Sequence, residues 1–102
     1  MGITVHDAKR AHTNLEEALE SAATFLARNP EHAALAASAA SIAQRLAASS
    51  VQGKEADPAD AGAVALLTDA VAVGNQVLAE SDAGRKVPRL TARIEDAAKL
   101  LA

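Results

Sequence analysis

Between Leu35 and Ala47 the chain carries two apolar rows that only a helix can align. Leu35, Ala39, Ile42 and Leu46 are spaced four, three and four apart, and Ala36, Ala40, Ala43 and Ala47 repeat that spacing one residue on. At about 100° per residue the two rows lie side by side on one helix surface. The second row is alanine throughout. Alanine has the highest helix propensity and no side-chain entropy to lose, and its small size lets helices approach closely. The preference runs through the whole chain, where 28 of 102 residues are Ala and Phe25 is the one aromatic residue. An all-α fold is expected.

Capping signals divide the chain into four helices over about 4–28, 30–49, 58–83 and 88–101. Thr4-x-x-Asp7 resembles a capping box with Asp in place of Glu. Val5, Ala8, His12, Leu15, Leu19, Ala22 and Leu26 then follow at alternating steps of three and four, a heptad seam. Asn29-Pro30-Glu31 restarts the chain with a favoured cap, a proline suited to the first helical position and an acid at the positive end of the helix dipole. A corner this tight implies that the first two helices are antiparallel neighbours. Ser50 to Ala56 lacks apolar periodicity and reads as a linker. Asp57-Pro58 repeats the cap-then-proline signal.

The third helix has the widest apolar face. Val64, Leu67, Val71 and Leu78 form one row and Leu66, Ala70, Val73 and Val77 the next, together about half the circumference. A helix buried over that arc needs two neighbours, or one neighbour and a second subunit. Gly74 interrupts it at a cost of about 1 kcal/mol relative to Ala, which marks either a close helix crossing or a local bend. Gly84, after Ser81-Asp82-Ala83, reads as the glycine that closes the helix. Pro88 suits the first turn of a short last helix, whose seam is Leu90, Ile94, Ala97 and Leu101.

Charge and composition narrow the function classes. The net charge is −3, and neither half of the chain is basic, which argues against nucleic acid as the partner. Cys is absent, which removes disulfides and thiolate metal sites. No apolar run approaches the ~18 residues of a membrane span. The opening Met-Gly-Ile-Thr-Val-His-Asp lacks the basic-then-apolar pattern of a signal peptide, so a cytoplasmic location is expected. Only 23 residues are larger apolar ones: 11 Leu, 7 Val, 3 Ile, Met1 and Phe25. A core that thin would gain from self-association.

Few residues suggest chemistry. His12 with Glu16 four residues on has metal-ligand spacing, but no Glu-x-x-His motif supplies the rest of a bundle metal site. His12 also invites comparison with histidine phosphotransfer modules. Leu15 and Glu16 stand where a cation would help a phosphoryl group, and Glu16 would repel it. No nucleophile elbow and no phosphate-binding glycine loop occurs. Arg85, Lys86, Arg89 and Arg93 form the one basic cluster, either a solvated face partly paired with helix 1 carboxylates or a site for an acidic partner. The third and fourth helices loosely resemble a helix-turn-helix, with Arg89 and Arg93 near the start of the second.

These features point to an all-α, four-helix up-down bundle with antiparallel neighbours and a short fourth helix. The expected function is that of a non-enzymatic interaction or scaffold protein, working as a homodimer or on a protein partner, without cofactor or metal. Its expected contact residues are Ala36, Ala40, Ala43, Ala47, Leu66, Val73 and Val77. The alternatives are a small DNA-binding regulator using the basic start of the fourth helix, or a bundle that holds a metal or small ligand.

Overall fold

The computed structural model describes residues 5–52 and 61–101, with side chains described for 6–48 and 64–101. Four long helices, α1 (Val5–Leu26), α2 (Ala33–Gln52), α3 (Ala61–Glu80) and α5 (Leu90–Leu101), make up most of it. A 3-10 turn (Pro30–His32) precedes α2, and a four-residue helix, α4 (Ala83–Lys86), stands between α3 and α5. No strand occurs among the described residues. The Thr4 cap, most of the expected linker and the Asp57-Pro58 start lie outside them.

α1 packs along both α2 and α5, and α3 touches all three. Among the described residues twenty buried hydrophobic ones form one cluster, ten of them Ala. On α1 these are Ala8, Ala11, Leu15, Ala18, Leu19, Ala22 and Leu26. The expected seam included His12. His12 instead sits on the edge of the buried arc, and Ala11 and Ala18 are inside it. The reason is that α1 is enclosed from several sides, so its buried surface is an arc wider than a heptad stripe. Among the described residues every buried side chain is apolar.

The α1–α2 corner follows its sequence signals. Arg28 and Asn29 donate backbone N–H bonds back to Phe25 and Leu26 at 3.3 and 3.0 Å, tightening the end of α1. Asn29 then caps the 3-10 turn, its Oδ1 accepting the Glu31 N–H at 3.0 Å, with Pro30 at the first position. α2 begins only at Ala33, and it continues through Ser50 to Gln52, into the stretch expected to be linker.

The α3–α5 connection departs from expectation. α3 stops at Glu80, before Gly84. Ser81 ends it, its Oγ donating to the Val77 carbonyl at 2.7 Å and accepting the Ala83 N–H at 3.2 Å. Gly84 is therefore not the closing glycine; it lies in α4 and has no positive φ. Its missing Cβ makes room, since one would stand 2.8 Å from Leu78 Cδ2 and 2.9 Å from Thr91 Oγ1. Pro88 precedes α5 rather than opening it. Val87 to Leu90 form a turn closed by the Leu90 N–H on the Val87 carbonyl at 3.3 Å, with Pro88 second and Arg89 third at φ 65°. That is the pattern of a type II turn, whose third position favours glycine.

α5 buries Leu90, Ile94 and Ala97 and half-buries Leu101. It meets α3 at Gly74, where a Cβ would lie 3.0–3.2 Å from three carbons of Ile94. Gly74 thus marks a close crossing of α3 and α5.

Candidate interaction surface

α3 buries Leu67, Ala70, Gly74 and Val77 along one line. Apolar residues continue past that line on both sides and are only half-buried: Val64, Val71 and Leu78 on one flank, Leu66 and Val73 on the other. The second flank borders α2. There Val73 and Ile42 floor a shallow, open groove edged by Ala37, Ser38 and Ser41.

The expected contact residues divide by burial. Val77 is fully buried, and Ala36 and Ala43 are nearly so, all three inside the core of one chain. Ala40, Ala47, Leu66 and Val73 keep part of their surface in solvent. The apolar surface that remains open at the groove is therefore the α3 flank beside α2; Ala40 and Ala47 lie on the opposite side of α2 from Ser38 and Ile42.

Charge is distributed unevenly around this surface. α2 holds one ionisable side chain, Arg45, in 20 residues, and α3 holds two, Asp69 and Glu80, in 20. α1 carries six Asp, Glu, Lys or Arg residues in 22, and α5 four in 12. Neither Arg45 nor Asp69 was expected from the sequence to be a contact residue, because each half of the chain mixes a charged helix with a nearly neutral one. Counting charge helix by helix would have found them.

His12 joins α1 to α2. Its Nε2 lies 2.8 Å from the Leu46 carbonyl, which can only accept, so Nε2 carries a proton and donates. Nδ1 lies 3.6 Å from Glu16 Oε1 on the next turn. Both ring nitrogens thus have neighbours within the chain. Among the described residues no group of three or more His, Asp or Glu gathers in a way that could hold a metal ion.

The basic cluster is spread over three elements. Arg85 and Lys86 are exposed on α4, Arg89 is exposed in the turn, and Arg93 on α5 pairs with Glu17 of α1. Lys86 also edges an open depression beside Phe25 and Arg28 at the end of α1. No helix among the described residues is long and apolar enough to cross a membrane. No protein-family model matches the chain, and neither a curated protein nor a solved structure does so.

Proposed function

We propose that this protein is a non-enzymatic helical interaction or scaffold protein that associates with itself in the cytoplasm. In this reading the helices form an up-down four-helix bundle with antiparallel neighbours and a short last helix, and the working unit is a dimer. The observation that carries the reading is the half-buried apolar flank of α3, where Leu66 and Val73 lie beside the open groove on α2. Moving such a side chain from half-buried to buried gains about 1 kcal/mol. A chain whose described core is half alanine has reason to recover burial in this way. Affinity would then rest mainly on helix-to-helix fit.

Light scattering across a wide concentration range tests the reading. The expected result is a mass rising toward twice that of the chain as concentration increases. A folded species at the mass of one chain, unchanged up to high concentration, rules out self-association.

A further inference from the structure

We infer that the α2/α3 face receives the same face of a second copy of this chain, with Arg45 of each copy set against the partner's Asp69. This rests on the proposed self-association and names its surface and its register.

The first ground is the depletion of charge. α2 and α3 carry three Asp, Glu, Lys or Arg residues in 40, whereas α1 and α5 carry ten in 34. Ordinary protein surface is rich in both signs of charge, while the centres of interfaces are depleted of it. The groove floored by Ile42 and Val73 lies on the depleted side.

The second ground is the placing of the charges that remain. Arg45 follows Ser41 by one helical turn, and Asp69 precedes Val73 by one turn, so both flank the groove, one on each helix. Both are exposed, and neither makes an ion pair within the described residues. In a two-fold contact each patch meets its own copy. A two-fold axis running along the groove lays α2 of each copy over α3 of the other. It brings the base on α2 to the acid on α3 twice, once at each side of the axis. A face with several charges of one sign would repel itself in this arrangement; this face complements itself.

The test is a charge swap followed by mixing, read by sedimentation. Arg45→Asp sets acid against acid and Asp69→Arg sets base against base, so each variant alone should self-associate at least about tenfold more weakly than wild type. An equimolar mixture of the two restores both pairings and should associate as wild type does. Val73→Glu should abolish association, and circular dichroism should show helicity unchanged in all three. If wild type associates but the two charge variants do so equally well, or their mixture gains nothing, this face is wrong while self-association stands. If wild type stays at the mass of one chain, the parent reading falls and this inference with it, leaving a different protein as the occupant.

Discussion

Ile94 lies across the bare backbone of Gly74, with Cδ1, Cγ1 and Cγ2 at 3.0, 3.1 and 3.2 Å from where a Cβ would stand. Ile94 is fully buried and branched at Cβ, so it has little freedom to withdraw. Gly74→Ala should gain about 1 kcal/mol in helix propensity and lose about 1–3 kcal/mol to overpacking. The expected net effect is a loss of about 1 kcal/mol in urea unfolding. Ile94→Val removes Cδ1, the nearest carbon, so the double variant should be less destabilised than the sum of the singles. A stabilised Gly74→Ala protein would show that the two helices do not approach this closely.

How far the fold could be read beforehand depends on the signal used. The Asn29-Pro30-Glu31 corner was legible because each residue acts locally, through a side-chain acceptor and a fixed φ. The end of α3 was not. Gly84 looked like the closing glycine, but the hydroxyl of Ser81, three residues before it, takes the Val77 carbonyl. The choice between His12 and Ala11 for the buried face of α1 was also out of reach. It is settled by which neighbours enclose α1, and alanine spacing carries too weak an inward signal to reveal that. At the candidate surface the sequence marked Leu66 and Val73 correctly as apolar. It could not say that Val77, on the same row, is covered within the chain.

Arg89 holds φ 65° without being glycine or asparagine. A left-handed conformation costs an L-residue roughly 1–2 kcal/mol, and asparagine tolerates it best among residues with a side chain. Arg89→Asn should therefore stabilise the protein by about 0.5–1 kcal/mol. In a thermal melt that corresponds to a rise of about 2–8 °C for a domain of this size. Arg89→Val should move the midpoint the other way. An unchanged melt for both variants would mean that the Val87–Leu90 turn relaxes at no cost.

The two contacts of His12 should differ in worth. The bond to the Leu46 carbonyl is short and half-buried, whereas Glu16 is 3.6 Å away and partly in solvent. His12→Ala should lose about 1–2 kcal/mol, from the hydrogen bond and the ring's packing. Glu16→Gln should change stability by less than about 0.5 kcal/mol. Equal losses in chemical denaturation would transfer the weight to the Glu16 pair.

Arg93 and Glu17 tie α5 to α1 at the surface, with about 28% and 53% of their side chains exposed. Solvent screens a pair of this kind, and its worth is about 0–1 kcal/mol. Glu17→Gln should lower stability slightly at low ionic strength, and the difference should vanish near 1 M salt, where the screening length is about 3 Å. A loss that persists in high salt would point to packing of the Arg93 stem rather than charge.

Among the described residues ten of the twenty buried hydrophobic positions are alanine. Such a position has almost no latitude. Trimming it to glycine loosens the helix by about 1 kcal/mol, and enlarging it by even a few carbons forces neighbouring backbones apart. In a leucine-rich interior, a change at one site can be absorbed by repacking at another. Here there is little side chain to repack, so sequence drift in this protein should concentrate on its solvent-facing positions while its interior alanines stay put.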